Sequence, residues 1–163
     1  MAIKSAQTGH LVLSTLHTND AASTISRLTQ IGIEPYLITS SVILVAAQRL
    51  VRRVCTNCRV VQDIPAEALI ELGLAEDKVR DAAVYHGVGC RQCSGSGYKG
   101  RIAVYELLPV TDDLEQCILQ GSSSAELKKE AMRLGMRTLR DSALDKMLRG
   151  QTSFEEVKRV TRK

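Results

Sequence analysis

The hydrophobic pattern at the start of the chain predicts a strand followed by a helix. Residues 10–16 read His-Leu-Val-Leu-Ser-Thr-Leu and are apolar at both odd and even positions, which is typical of a central strand covered on both faces. Such a strand indicates a parallel sheet. Residues 18–20, Thr-Asn-Asp, offer helix-capping side chains, and apolar residues at helical spacing predict a helix over 21–31 that ends at Gly32.

A second helix is predicted over about residues 36–54. Its residues are almost all apolar up to Gln48, and arginines follow at positions 49, 52 and 53. The nearly apolar part, residues 36–47, is far shorter than the roughly 20 residues that a membrane-spanning helix needs. We therefore expect a buried helix whose last turns face a polar surface.

Shorter elements are predicted for the rest of the chain. An amphipathic helix over 65–74, a helical turn over 76–82 and a strand over 101–109 come first, and four helices follow over 111–120, 123–134, 138–149 and from 152 onward. Two of these helices begin with the capping-box pattern, Ser123-x-x-Glu126 and Thr152-x-x-Glu155. We expect the four to form a compact C-terminal bundle.

Four of the five cysteines form two Cys-x-x-Cys pairs, Cys55/Cys58 and Cys90/Cys93. Two such pairs complete the tetrahedral four-thiolate shell of a structural zinc ion and leave no position open for a substrate. Redox dithiols and disulfides are the alternatives, although a redox dithiol usually occurs as one pair at the start of a helix. Residues 59–89 exceed the usual spacing of a zinc ribbon, so we expect folded structure of their own inside them. Cys117 is predicted to be a small core residue.

Composition limits the classes of partner. The 163 residues are 44% hydrophobic with no tryptophan and one phenylalanine, so a core of aliphatic residues is expected. The net charge of +4 falls to about +2 when a zinc–tetrathiolate site is included, which is too small to indicate nucleic-acid binding. Residues 1–6 contain no apolar run of signal-peptide length, so a cytoplasmic location is predicted.

His10 and His17 bracket the predicted strand. An extended chain would hold them about 23 Å apart on opposite faces, so they cannot share a metal ion. His17 lies where the predicted strand meets the predicted helix, the edge at which open α/β sheets bind ligands. It is therefore the better functional candidate, although a lone histidine at a strand end is more often structural.

Basic residues are concentrated near the cysteines in sequence: Arg49, Arg52, Arg53, Arg59, Arg91, Lys99 and Arg101. They either offset the negative charge of a metal–thiolate cluster or contact a neighbouring subunit or a nucleotide. The sequence contains no phosphate-binding loop of the form Gly-x-x-x-x-Gly-Lys-[Ser/Thr]. It also has no paired-carboxylate or Ser/His/Asp spacing that indicates catalysis.

Together these motifs resemble the C-terminal part of the type II secretion and type IV pilus assembly ATPases. The resemblance runs through Gln7-Thr8-Gly9-His10 and the strand up to His17-Thr-Asn-Asp, Ala-Gln-Arg-Leu-Val-Arg at 47–52, both cysteine pairs, and Gly-Tyr-x-Gly-Arg at 97–101. It implies an α/β fold: an incomplete RecA-like P-loop NTPase part (1–54), an inserted tetracysteine zinc subdomain (55–101), and a strand with a helical C-terminal bundle (102–163). The cysteines favour the extension or secretion branch over the retraction branch.

The same resemblance implies a function and partners. Members of the family are homo-hexameric motors that hydrolyse ATP with magnesium at the cytoplasmic face of the inner membrane, next to a membrane platform protein. His10 and His17 correspond to the family's "His box" beside the nucleotide. The phosphate loop and acidic residues of the motor would precede Met1, so this chain alone is expected not to hydrolyse ATP. A zinc-dependent protein-interaction module and a nucleic-acid-binding zinc ribbon are the alternatives, and scarce aromatic residues disfavour the second.

Overall fold

The fold is mixed α/β in a computed structural model that describes residues 2–161. In chain order the elements are α1 (Ala2–Gln7), α2 (Ala21–Gln30), α3 (Pro35–Thr39), β1 (Leu44–Val54), β2 (Arg59–Gln62), α4 (Ala66–Glu71), α5 (Glu76–Val79), β3 (Val84–Gly87), β4 (Tyr98–Pro109), α6 (Asp112–Leu119), α7 (Ser124–Arg133), α8 (Leu139–Leu148) and α9 (Phe154–Thr161). Strands β1 and β4 form one two-stranded sheet, and β2 and β3 form another.

The chain divides into two compact units, each built from two stretches of sequence. The first unit comprises residues 2–47 and 106–138, and the second comprises residues 48–105 and 139–161. Helices α6 and α7 therefore belong to the first unit, and α8 and α9 belong to the second. The single bundle predicted for the last four helices does not form, because these pairs pack on different partners: α6 and α7 on α3 and α2, α8 and α9 on β3. The division at residues 54 and 101 stays a prediction about domains.

The first unit is organised by the core that α2 shares with α3, α6 and α7. Its buried residues are small or aliphatic, as the composition predicted: Ala21, Ala22, Ile25, Leu28, Ile38, Val45, Leu108, Leu114, Ile118, Leu127 and Ala131. Helix α2 begins where the capping residues predicted, since the Asp20 carboxylate accepts a 2.9 Å hydrogen bond from the Ser23 N–H. The capping box at Ser123 and Glu126 is likewise confirmed at the start of α7.

The predicted strand over residues 10–16 is wrong. These residues carry no helix or strand, and the side chains of Leu11 and Leu13 are 84% and 89% exposed. An extended segment becomes a strand only when a neighbouring chain accepts and donates its backbone hydrogen bonds. Within residues 2–161 this segment is not part of either sheet, since the paired strands there are β1 with β4 and β2 with β3.

The predicted helix over residues 36–54 is also wrong beyond its first turn. Helix α3 ends at Thr39, where the hydroxyls of Thr39 and Ser40 donate to backbone carbonyls of the preceding turn. From Leu44 the chain is strand β1, in which burial alternates through Val45 and Val51 with the period of two expected of a half-buried strand. The apolar composition fits both structures, and the long partner strand β4 decides between them.

In the second unit, the segment that leads into α9 covers the free edge of β1. The Thr152 hydroxyl donates to the Arg52 carbonyl at 2.9 Å, and the Val54 N–H donates to the Gln151 carbonyl at 3.0 Å. Thr152 is therefore not the capping residue that its sequence pattern predicted. The Ser153 hydroxyl occupies that role and accepts from the Glu156 N–H at 3.3 Å. Covering the edge satisfies backbone groups that another chain would otherwise pair with.

Candidate metal centre

The four paired cysteines lie at the ends of the strands of the second unit. Cys55 directly follows β1, and Cys58 directly precedes β2. Cys90 directly precedes a 3₁₀ turn over Arg91–Cys93, which ends at Cys93 and comes shortly before β4. In each pair a backbone hydrogen bond of 3.3 Å joins the N–H of the second cysteine to the carbonyl of the first, and the tight turn that results points both sulfurs the same way.

The sulfur atoms have the spacing of a tetrahedral thiolate shell. Their Sγ atoms all lie within 4.8 Å of one another, with separations of 3.9 Å for Cys55–Cys90, 3.8 Å for Cys58–Cys93 and 3.7 Å for Cys90–Cys93. Four sulfurs at about 2.3 Å from a central zinc ion stand about 3.8 Å apart in a tetrahedron. All five cysteines are free, and these separations far exceed the roughly 2.05 Å of a disulfide. The donor set and its spacing fit zinc.

Antiparallel pairing between β2 and β3 brings together the two ends of the segment that separates the cysteine pairs. Arg59 lies opposite Gly87, and Gln62 lies opposite Val84. The Val88 N–H extends the ladder by donating to the Cys58 carbonyl at 3.1 Å, which brings Cys58 next to the second pair. The expectation of folded structure inside residues 59–89 is confirmed, because β2, α4, α5 and β3 all lie within them.

Close contact between glycine backbones completes the centre. A Cβ atom on Gly87 would lie 2.1 Å from the Gly97 carbonyl oxygen, and one on Gly89 would lie 2.6 Å from the Gly95 carbonyl oxygen. Only glycine permits these approaches, which bring the two segments that flank the second cysteine pair together. The sequence analysis did not predict this packing role of the glycines. The signal was a matching pair of glycine-rich runs on either side of Cys90 and Cys93.

Backbone and side-chain donors surround the sulfurs. A hydrogen bond from the Asn57 side chain lowers the pKa of Cys90 to about 6. Burial disfavours the thiolate of Cys93, but the N–H groups of Cys90 and Gly97, at 3.2 and 3.3 Å, outweigh it and lower its pKa. Burial, and then the neighbouring thiols of Cys93, Cys90 and Cys55, raise the pKa of Cys58 to about 12. Four negative sulfurs cannot share such a site without a cation. A divalent cation supplies the compensating charge.

His10 and His17 belong to the first unit, and the four clustered cysteines belong to the second. Within the described residues, the group whose spacing suits a metal contains the four cysteines and no histidine. His10 is exposed, with its Nδ1 atom 3.2 Å from the Thr8 hydroxyl, and His17 is exposed three residues before the cap of α2. Both histidines are therefore accessible, and among the described residues neither belongs to the group that could hold a metal ion.

The basic residues near the cysteines have several different contacts. The Arg52 side chain donates to the Glu156 carboxylate at 2.9 Å, and its guanidinium lies 4.1 Å from the centre of the Tyr98 ring. The Arg59 guanidinium lies over the ring of Tyr85, 5.2 Å from its centre. For these two arginines the contacts are with the folded chain itself. Cys117 packs against the core of the first unit, as predicted.

Sequence reasoning missed the fully buried carboxylate of Glu156 in α9. It accepts hydrogen bonds from the Arg52 N–H at 2.7 Å and from the Arg159 side chain at 2.8 Å. Arg159 also donates to the Leu50 carbonyl, so the pair binds the edge of β1. The Tyr98 hydroxyl lies 2.7 Å from the Ser153 hydroxyl at the start of α9. No pattern in the sequence distinguishes this glutamate from its exposed neighbours.

Comparison with known proteins identifies the family. A family model described as "Type II/IV secretion system protein" matches residues 1–159. The chain belongs to this family. It is 51% identical over 158 residues to the type IV pilus assembly ATPase PilB of Myxococcus xanthus, an alignment that covers 96% of the chain and 28% of that protein. It is 42% identical over 163 residues to the type II secretion system protein E of Aeromonas hydrophila, covering 99% of the chain and 32% of that protein.

Membership in the type II/IV secretion family confirms the resemblance that the motifs predicted. A further relative, the PilB protein of Thermus thermophilus, is 50% identical over 157 residues, covering 96% of the chain and 18% of that protein. The chain spans less than a third of the length of each of these three relatives. Among the described residues, no helix is both long enough and apolar enough to span a membrane.

Proposed function

We propose that this chain forms part of a motor ATPase that drives type IV pilus assembly or type II protein secretion. The observation that carries the proposal is the family match over residues 1–159, together with 51% identity to a protein named as a type IV pilus assembly ATPase. In this proposal the whole motor is a homo-hexamer with a RecA-like ATP- and magnesium-binding core. It works at the cytoplasmic face of the inner membrane, where partner proteins of the assembly or secretion machinery hold it.

The tetracysteine centre serves this motor as a structural clamp. Four thiolates fill the coordination shell of zinc, so the ion has no open position at which to activate water or bind a substrate. Its role is to fix the end of β1 and the start of β4 to the paired strands β2 and β3, since one cysteine pair follows β1 and the other precedes β4. Nucleic acid plays no part in the proposal.

His10 and His17 act beside the nucleotide in the proposed motor, as sensors of the γ-phosphate or as subunit contacts. Their exposure on the segment before α2 supports this role, because a group that meets a ligand or a neighbour must be accessible. The 163 residues carry no phosphate-binding loop, so the chain by itself is expected to show no ATP hydrolysis.

A chimera tests the proposal. This chain replaces the aligned segment of Myxococcus xanthus PilB, and both the ATP turnover of the purified chimera and the piliation of a strain lacking its own PilB are measured. We expect turnover and pili in the chimera and neither with the isolated chain. A stable, zinc-loaded chimera that hydrolyses ATP but assembles no pili would argue against pilus assembly; the same exchange in the secretion protein of Aeromonas hydrophila then tests the other branch.

Zinc is tested separately on the isolated chain by elemental analysis. We expect about one zinc ion per chain, loss of that ion in Cys58→Ser, and its retention in the control Cys117→Ser, whose thiol lies in the first unit. Wild-type protein that is folded and metal-free after purification with zinc supplied would exclude the clamp.

A further inference from the structure

The carboxylate of Glu106 is buried completely within the first unit and is used by neither the metal centre nor the proposed nucleotide residues. It lies on β4, and its Oε1 atom accepts a 2.9 Å hydrogen bond from the N–H of Ala21, the first residue of α2. The N-terminal N–H groups of a helix lack partners within the helix and carry partial positive charge. A buried carboxylate at this position therefore fixes the start of α2 to β4.

Lys128 of α7 joins this carboxylate to the cap of α2. Its Nζ atom lies 2.9 Å from Asp20 Oδ2 and 3.6 Å from Glu106 Oε2. Hydrogen bonds from Ser23 and Lys128 outweigh the effect of burial and lower the pKa of Asp20, while both carboxylates raise the pKa of Lys128 against the effect of its burial. Three elements, β4, α7 and α2, thus meet at one charged cluster of Asp20, Glu106 and Lys128.

The segment that carries His17 joins α2 next to this charged cluster. Residues 10–18 have no helix or strand of their own, so the position of His17 depends on its neighbours in sequence: Leu16, which packs against the core of the first unit, and the junction with α2. His17 lies three residues before the cap Asp20. The neighbouring Thr18 hydroxyl is 2.7 Å from that of Thr24 in the first turns of α2, which ties the residue next to His17 to the same helix end.

We infer that Glu106 and Lys128 are positioning residues for His17, and that they act on ATP turnover only through the placement of residues 17–20. The inference rests on the proposed function, because it assumes that His17 contributes to turnover. A fully buried carboxylate needs compensating partners, and those of Glu106 include the first N–H of α2 and the ammonium that also holds the cap of that helix. Substituting either residue is expected to loosen the end of the helix from which His17 extends.

A double-mutant cycle in the PilB chimera tests this inference. The variants are Glu106→Gln, His17→Ala and the two together, with ATP turnover and nucleotide affinity measured for each. We expect Glu106→Gln to lower turnover by about fivefold or more with little change in affinity, and to lower it by less than about twofold in the His17→Ala background. Cys117→Ser is the matched control, since it disturbs the core of the first unit from α6 and leaves Asp20, Glu106 and Lys128 unchanged.

The possible results distinguish a failure of the role proposed for His17 from a failure of the positioning role of Glu106 and Lys128. Unchanged turnover in His17→Ala overturns the role of the histidine itself, whatever Glu106 does. If His17→Ala lowers turnover but the effects of the two substitutions multiply, or Cys117→Ser lowers turnover as much as Glu106→Gln does, the positioning role is overturned. Lys128→Met provides a second route if Glu106→Gln fails to fold, because Lys128 is partly exposed and the same non-additivity is expected.

Hydrogen exchange gives a readout that does not depend on activity. In the isolated zinc-loaded chain, Lys128→Met is expected to increase the exchange rate of the amides at 18–23 by about tenfold and to leave those of α6 unchanged. Equal loss of protection in α2 and α6 would show general destabilisation and overturn a local role.

Discussion

Replacing Glu156 by glutamine tests how strongly α9 is held on the edge of β1. The carboxylate is fully buried and is bound by the Arg52 N–H and by the guanidinium groups of Arg52 and Arg159. Although burial alone would raise its pKa, the hydrogen bonds from Arg159 and Arg52 lower it from 4.5 to about 2. Glutamine keeps the shape of the side chain but removes the charge that both arginines neutralise.

The expected loss of stability is about 2 kcal/mol. Each tenfold change in an acid constant is worth about 1.4 kcal/mol, so the lowered pKa corresponds to at most about 3 kcal/mol. The side chains of Arg52 and Arg159 are 50% and 53% exposed, and solvent screening of these groups reduces the figure. For a chain of this size, about 2 kcal/mol lowers the melting temperature by about 4–8 °C.

Thermal and urea unfolding at several pH values measures the effect of Glu156→Gln. Because the folded-state pKa is depressed, the contribution is complete at neutral pH and is lost as the pH falls from 4.5 towards 2. The difference between wild type and variant should shrink across that window. Glu155→Gln is the control, since the Glu155 carboxylate accepts a 3.1 Å hydrogen bond from the uncharged amide of Gln62 and should contribute less. Equal melting temperatures of wild type and Glu156→Gln at pH 7 would refute the reasoning.

Four further substitutions have expected outcomes. Gly87→Ala should lower the free energy of unfolding by at least about 2 kcal/mol and weaken zinc binding, because its methyl group would lie 2.1 Å from a backbone oxygen. Gly121→Ala, at φ 75° with open space around it, should lower the free energy of unfolding by about 1–2 kcal/mol. It should leave the zinc affinity, measured by chelator competition, unchanged. Ser123→Ala should lower the free energy of unfolding by about 1 kcal/mol in urea titrations, and a loss below 0.2 kcal/mol would exclude a working cap. Tyr98→Phe should cost about 1 kcal/mol and increase hydrogen exchange at the start of α9; unchanged exchange would show that its hydroxyl does not hold the helix.

The sequence predicted best those features that depend on nearby residues. Helix starts at Asp20 and Ser123 were readable because a capping side chain bonds to a backbone group only three residues away. The cysteine cluster could be predicted for the same reason, since each Cys-x-x-Cys turn involves residues close together in the sequence. Cys55, Cys58, Cys90 and Cys93 were proposed as one site from spacing alone, and their sulfurs do converge.

The errors arose where distant residues decide the structure. Residues 44–54 have a composition compatible with a buried helix, and they are a strand because β4 lies beside them. Residues 10–16 have the composition of a central strand and lack a neighbouring strand among residues 2–161. Thr152 fits a capping pattern, but the carbonyl of Arg52, distant in sequence, takes its hydroxyl. The burial of Glu106 and Glu156 is likewise set by partners far along the chain.

The way in which α9 covers β1 has a practical consequence for recombinant work. The edge of this strand is shielded by carboxylate, guanidinium and hydroxyl groups on one short helix and the turn before it, and no further strand is hydrogen-bonded there within the described residues. A truncated version that stops near residue 150 would leave the backbone at 50–54 open to edge-to-edge pairing between molecules. Such a shortened protein should precipitate at concentrations that the longer one tolerates, so the boundary of an expressed fragment belongs beyond α9.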